Sequence, residues 1–537
     1  MRVPLSWLRE HTPVEVGVDE LVAVLDGLGL AVESVERVGE GLDGVVVAAV
    51  AEIGAIEGAD RIRRVTVDAG DGAVQVVCGA WNFEVGDLVP LATVGAVLPG
   101  GFEIGRRKMK GVVSDGMLCA PGELGLPPVV DGILVLPPGL VPGTPLADAL
   151  GLHPDVVLEL EVNGNRPDAM SVVGVARDVA ARLGLPFALP EPSIDEREAG
   201  DSLVTVEVEA PERCGRFVAR VLTGVTVGPS PPWLANRLAL AGMRPINNVV
   251  DASNYVMLEL GQPNHPYDLG QLPGRGLRVR LAGEGEALVT LDGVERRLGP
   301  DDLLICDAED APVGIAGIMG GASAEIGPLT TEVLLEAAWF DPGSVARTSK
   351  RLNLRTEASA RFERGCDPDL PSRAARRFCE LLRDTAGATV AAALEVRGRL
   401  PERRPVRLRT TRVNAVLGTD LTDAEVVARL EPLGFAALEV EAGLHDVAVP
   451  SWRPDSAEEI DLIEEVARLH GYGSIVATVP SSPFTGGLSP YQRARRQVRH
   501  VLAGVGVSEA WTPSFLAPAS FERFGLPVEE SVAVVNP

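Results

Sequence analysis

The stretch VQVVCGAWNFEVGDLVPLATVGAVLPGGFEIGRRKMKGVVSDGMLCAPGELGL, residues 74–126, decides how the early part of the chain folds. Short apolar runs alternate with Gly and Asp, and the same texture reaches from Val45 to about Leu136. Short alternating strands at this spacing predict a small β-barrel. Within it, Arg106, Arg107, Lys108 and Lys110 stand close together in a chain of formal net charge -26. So acidic a protein repels a polyanion over most of its surface, and nucleic acid must therefore meet a local basic patch.

Outside this region, 537 residues are too many for one core, and roughly three or four folding units are expected. With 46% hydrophobic and 4% aromatic residues, the cores should be aliphatic. Arg9 and Glu10 interrupt the position of a signal-peptide apolar run, and no uncharged apolar stretch of about 18 residues follows, so neither export nor membrane spanning is expected. Cys78, Cys119, Cys214, Cys306, Cys366 and Cys379 are widely spaced without CxxC or zinc-finger spacing, and read as reduced thiols of a cytosolic protein.

Helical periodicity followed by Gly27 and Gly29 predicts a short helix and then a strand over 18–36. A second helix is expected over 171–185, followed by a Pro-rich linker at 187–202 and a long mixed α/β region to about 395. Thr422 with Glu425 forms a capping box, and a further helix is expected to open at Asp455. Residues 481–490 read as a linker before a basic helix carrying Arg493, Arg495, Arg496 and Arg499. No internal repeat is apparent at this level.

Several motifs carry a resemblance. The turn at 78–82, LPGG at 98–101, the basic turn and SDGMLCAPGELGL at 114–126 resemble the tRNA-binding OB domain found also in some methionyl-tRNA synthetases. VNGNRPDAMSVVGVARDVAA (162–181), MRPINNVVDASNYVMLELGQPNHPYD (243–268), GIAGIMGG (314–321), EAAWFDPGSVARTSKRLNLRTEASARFERGCDP (336–368) and PSWRPDSAEEIDLIEEVARLHGY (450–472) together resemble the bacterial phenylalanyl-tRNA synthetase β-subunit family. The resemblance implies a multidomain α+β chain: an OB-type barrel (41–151) inserted in an N-terminal α/β domain (1–40 with 152–190), an editing module (203–395), a small winged-helix-like domain (401–477), and the start of a non-catalytic class II synthetase-like core (485–537).

It further implies a cytoplasmic subunit that binds phenylalanine tRNA and supports ATP-dependent charging by an α subunit, in an α2β2 assembly. Its editing module would hydrolyse tyrosine misesterified to that tRNA. Tyr exceeds Phe by one hydroxyl, which an apolar synthetic pocket rejects imperfectly and a second, hydrogen-bonding pocket can detect. Glu336 is the expected acceptor of that hydroxyl, because a carboxylate makes a charge-assisted bond to a phenol and gains nothing from Phe. His265 and Asn254 fall on family positions lining the pocket beside Ser253, with His265 orienting the attacking water or terminal ribose, and the glycine-rich GIAGIMGG brings the backbone at Ala316 and Gly317 close to the substrate. Ser253 stands where the family commonly has Thr, which makes the pocket slightly roomier. For the barrel, Asn82, Arg106, Arg107, Lys108, Lys110, Ser114 and Met117 are the expected tRNA contacts.

Asp461, Glu464 and Glu465, at i, i+3 and i+4, share a helix face, with Asp455 at its expected start. Spacing alone reads as a solvated acidic face, whereas the resemblance implies a Mg²⁺ site near the partner subunit. The activating motifs of a class II core are missing here, which assigns activation to the α subunit. The sequence stops at Pro537, where family members continue, so a fragment or short form is expected. The alternative reading is a stand-alone tRNA-binding or trans-editing protein.

Overall fold

The computed structural model describes residues 1–126, 132–152, 154–197, 203–479, 486–527 and 531–534. They form two compact units, Met1–Ile475 and Val476–Pro537.

The first unit opens with strand Arg2–Pro4, helices Leu5–His11 and Val18–Gly27, and strand Val32–Val38. The chain then leaves to build the barrel and returns as strand Asp155–Leu160, which inserts between the first two strands in an antiparallel three-stranded sheet. Helix Val172–Leu183 follows, capped by the Ser171 side chain, which accepts from the Gly174 amide at 3.0 Å.

The inserted segment is an antiparallel sheet in the order Met117–Leu118, Leu88–Ala92, Val45–Ile56, Ala59–Asp68, Ala73–Cys78. It curls until its edges meet. The Val77 amide donates to Ser114 Oγ at 2.9 Å and the Asp115 amide to the Gln75 carbonyl at 2.9 Å. Val50, Val65, Val67, Val76, Phe83 and Leu91 fill the interior.

Between 203 and 397 two sheets pack face to face. One runs Thr205–Val208, Gly276–Leu281, Leu303–Asp307, Pro312–Ile315, Met319–Gly320. The other is centred on Glu332–Phe340 and Cys214–Thr223, with Asn264–Asp268 on one edge. Alternation along Glu332–Phe340 divides its side chains. Leu334 and Ala338 join the inter-sheet core, while Val333, Leu335 and Ala337 pack with residues of helices Asn248–Leu260 and Pro371–Ala386. Glu336 shares the parity of Leu334 and Ala338, so its carboxylate points between the sheets.

Residues 406–470 repeat the N-terminal plan, an internal repeat that the sequence reading missed. Strand Val406–Arg409, helices Thr410–Leu417 and Asp423–Leu430, and strands Ala436–Glu441 and Leu444–Ala448 again form a sheet whose last strand is central. Helix Glu459–His470 corresponds to Val172–Leu183, and each is preceded by Arg-Pro-Asp. Arg166 grips Asp168 at 2.9 and 2.8 Å and Asp178 at 2.6 Å. Arg453 grips Asp455 at 2.9 and 2.7 Å and Glu465 at 2.8 Å. Arg468 joins the copies, donating to both Asp178 oxygens at 2.9 and 3.1 Å and to Glu465 Oε2 at 2.8 Å. The Thr422–Glu425 capping box forms, but the helix expected at Asp455 begins at Glu459, where the Asp461 carboxylate accepts from the Glu458 amide at the cap.

The second unit holds helix Pro490–Gly504, capped by Ser489, and the short helix Pro518–Arg523. Among the described residues, no helix is long and apolar enough to cross a membrane.

Candidate functional site

In the run 333–340, VLLEAAWF, Glu336 is the sole ionisable side chain, set in a strand buried on both faces. Register places His265 directly opposite it on the neighbouring strand. Two residues on, and therefore on the same face, the Tyr267 hydroxyl donates to Glu336 Oε2 at 2.7 Å. Burial pushes the Glu336 carboxyl up to about 7, with the Tyr267 hydrogen bond pulling weakly the other way. Among the described residues, Oε1 accepts no hydrogen bond and is free for a ligand donor. Burial pushes His265 down to about 4, so the imidazole is neutral at physiological pH. Its ring meets Tyr267 edge-on at 4.5 Å between centroids.

A glycine hairpin covers this group. Strands Pro312–Ile315 and Met319–Gly320 pair Gly314 with Gly320. A Cβ on Gly320 would lie 2.4 Å from His265 Nε2, and one on Gly314 would lie 3.3 Å from the Tyr267 hydroxyl. The backbone thus comes closest to the polar cluster at Gly314 and Gly320. Ala316 and Gly317, the positions expected from the sequence, form the turn: Ala316 is buried, and Gly317, at φ +70°, backs onto Phe340, Val345 and Phe362. Ser253 Oγ donates to the Asn264 carbonyl at 2.8 Å, tying helix Asn248–Leu260 to the start of the His265 strand. Asn254 lines a separate cavity of about 660 Å³ with Glu357, Arg361 and Arg364. Glu336 and His265 are therefore brought together, Ser253 braces them from behind, and Asn254 faces elsewhere. Tyr267, Gly314 and Gly320 were missed, although Tyr267 lies within a motif already singled out by the sequence.

On the barrel, hairpin strands Arg107–Met109 and Val112–Ser114 carry the basic turn. Arg106 pairs with Asp115, whereas Arg107, Lys108 and Lys110 are exposed and form no ion pair among the described residues. Met117 and Arg107 line a groove of about 340 Å³. Ser114 lines the same groove, and both Asn82 and Ser114 also bond to the barrel backbone. Asn82 clamps the Ile133 backbone with bonds of 2.8 and 2.9 Å, and Ser114 Oγ donates to the Gly116 carbonyl at 2.9 Å while accepting from Val77.

The four acidic residues expected from the resemblance to hold magnesium, Asp455, Asp461, Glu464 and Glu465, each have separate surroundings. Glu465 is buried between Arg453 and Arg468, and Asp455 is forked by Arg453. Asp461 accepts the Ala457 and Glu458 amides at 2.9 and 2.8 Å, and Glu464 faces solvent. Arginines and backbone amides already compensate the oxygens of Asp455, Asp461 and Glu465, leaving Glu464 alone uncommitted, so the set as arranged here does not fit Mg²⁺. Among the described residues, no group of three or more His, Cys, Asp or Glu is placed to hold a metal ion.

Comparison with known proteins adds four family matches: a putative tRNA binding domain over 45–145, a B3/4 domain over 213–387, a tRNA synthetase B5 domain over 406–472, and a phenylalanyl tRNA synthetase beta chain CLM domain over 475–537. The phenylalanine–tRNA ligase beta subunit of Anaeromyxobacter dehalogenans is 46% identical over 542 residues, covering 100% of this chain and 67% of the relative. Those of Geobacter sulfurreducens and Moorella thermoacetica are each 45% identical, with 100% of this chain and 68% of each relative covered. The chain belongs to the phenylalanine–tRNA ligase beta-subunit family. Within this beta-subunit frame, Glu336, His265 and Tyr267 lie in the B3/4 match and the unpaired basic residues in the tRNA-binding match. The chain spans about two thirds of the length of these relatives.

Proposed function

We propose that this chain acts as the beta subunit of a phenylalanine–tRNA ligase, docking tRNA on its barrel and removing tyrosine misattached to phenylalanine tRNA. Activation of phenylalanine with ATP and Mg²⁺ belongs to an α subunit. The family match over 475–537 favours this reading over a stand-alone editing protein.

The observation that carries the editing assignment is the buried Glu336 carboxyl, with one oxygen engaged by Tyr267 and the other free. A tyrosyl phenol donating to Oε1 satisfies that oxygen. A phenylalanyl ring in its place leaves it buried and unpaired, which disfavours the wrong occupant. Hydrogen bonds to charged groups are worth about 1.5–3 kcal/mol, or roughly 10- to 150-fold in discrimination. Tyr267 fixes the carboxylate rotamer. Neutral His265 orients the hydrolytic water or the terminal ribose, and water attack on the ester carbonyl releases tyrosine and intact tRNA. With a pKa of about 4, His265 is a weak proton acceptor, which assigns it orientation rather than general-base work.

The test is hydrolysis of tyrosyl- and phenylalanyl-esterified phenylalanine tRNA by parent and Glu336→Ala. Preferential loss on the tyrosyl ester is expected, and equal rates on that ester for mutant and parent would sink the assignment.

A further inference from the structure

The barrel presents a large aromatic side chain that its own core does not use. Trp81 is 64% exposed, yet its loop is not loose. Asn82 is clamped to Ile133, and the Glu84 amide donates to Asp87 at 2.8 Å. Beneath the indole lies the Arg63 guanidinium, 5.0 Å from the Trp81 ring and 4.2 Å from that of Phe83, itself buried and bonded to the Phe83 carbonyl at 3.1 Å. One face of the indole is propped by a cation and the other is open. Gly79 and Ala80, just before Trp81, line the same groove as Phe102 and Arg107, beyond which Lys108 and Lys110 carry no ion pair among the described residues. Glu123, the carboxylate in that groove, is turned onto the Ala120 amide at 2.7 Å.

A rigid indole beside uncompensated cations complements a flat ring attached to a phosphate. We propose that Trp81 is a stacking platform for an unpaired nucleobase of the bound tRNA, with Arg107, Lys108 and Lys110 following the adjoining phosphates. The proposal rests on the reading of the barrel as a tRNA-docking domain. Stacking is tolerant of base identity, so Trp81 adds affinity and register without reading sequence.

The test measures binding of a phenylalanine tRNA transcript to the full chain across a salt series. Trp81→Ala, Trp81→Phe and the triple variant Arg107→Ala/Lys108→Ala/Lys110→Ala are compared with the parent. Trp81→Ala is expected to weaken binding at least about five-fold with an unchanged salt slope, and Trp81→Phe to keep most of the affinity. The triple variant is expected to flatten the slope by about two. A weakened triple variant beside an unaffected Trp81→Ala overturns the stacking platform and leaves the docking reading standing. No effect from either overturns both. Equal losses in Trp81→Ala and Trp81→Phe, or a Trp81-dependent indole fluorescence that tRNA does not quench, overturn the stacking platform.

Discussion

Replacing Glu336 by Gln tests the central electrostatic claim without removing the hydrogen bond, because the amide oxygen can still accept from Tyr267. In the folded chain the carboxyl titrates at about 7 instead of its ordinary 4.5. A raised folded pKa means the native state binds the proton more tightly than the unfolded chain, so stability is lost as pH rises from 4.5 through 7. Summed over that window, ionisation lowers parent stability by roughly 2–3 kcal/mol between pH 5 and pH 8. Glu336→Gln has no such titration. The variant is therefore expected to gain on the parent by that amount as pH rises, read from urea titrations with hydrogen exchange in strand Glu332–Phe340 isolating the local transition. Parent and variant running parallel from pH 5 to pH 8 would refute the reasoning, since the carboxyl would then be ionised throughout.

The same titration should appear in function: hydrolysis of the tyrosyl ester is expected to show an inflection near pH 7 that Glu336→Gln abolishes, with none near 6.5 from His265. Gly320→Ala is expected to displace the imidazole and lower hydrolysis several-fold while tRNA affinity holds, because the new methyl would sit 2.4 Å from Nε2; unchanged hydrolysis would show that the ring's seat is not critical. Arg468→Met strands Asp178 and Glu465, and should lower stability by about 3–5 kcal/mol in thermal or urea unfolding. A loss below about 1 kcal/mol would mean that Arg166 and Arg453 suffice. All six cysteines are buried, with Cys119 pushed up to about 12 by burial, so a thiol reagent should label none of them before unfolding.

What the sequence made legible was local. The alternating runs around Cys78, the capping box at Thr422 and the helix behind Ser171 depend on neighbours a few residues apart. Glu336 stood out as a carboxylate inside an apolar strand, and the motif resemblance gave it a role. Tyr267 could not be paired with it from sequence, because the bond joins residues 69 apart through strand register. The surroundings of the acidic helix were hidden for a similar reason: i, i+3, i+4 spacing puts Glu464 and Glu465 on one helix, but their adjacent positions differ by about 100° in direction. Glu464 therefore meets water and Glu465 meets two arginines. The repeat escaped because the barrel separates strand Val32–Val38 from Asp155–Leu160 in one copy, whereas the other joins its last two strands by a short turn. DELVAVLDGLGL (19–30) against DAEVVARLEPLGF (423–435) was the available signal.

The duplicated Arg-Pro-Asp lobes also impose an order on synthesis. Asp178 lies 290 residues before Arg468, and Leu28 packs in one cluster with Leu408, Val426, Leu462 and Val466. On a ribosome moving at about 5–20 residues per second, roughly 15 to 60 seconds separate the two halves of that contact. During that interval the barrel and the paired sheets of 203–397 can close while the first lobe waits with an apolar seam and a half-compensated carboxylate exposed. A chain released before the second lobe emerges carries that unfinished seam into the cell, where proteases and chaperones recognise such surfaces. The late lobe thus seals the earliest residues only after the barrel and residues 203–397 have been made.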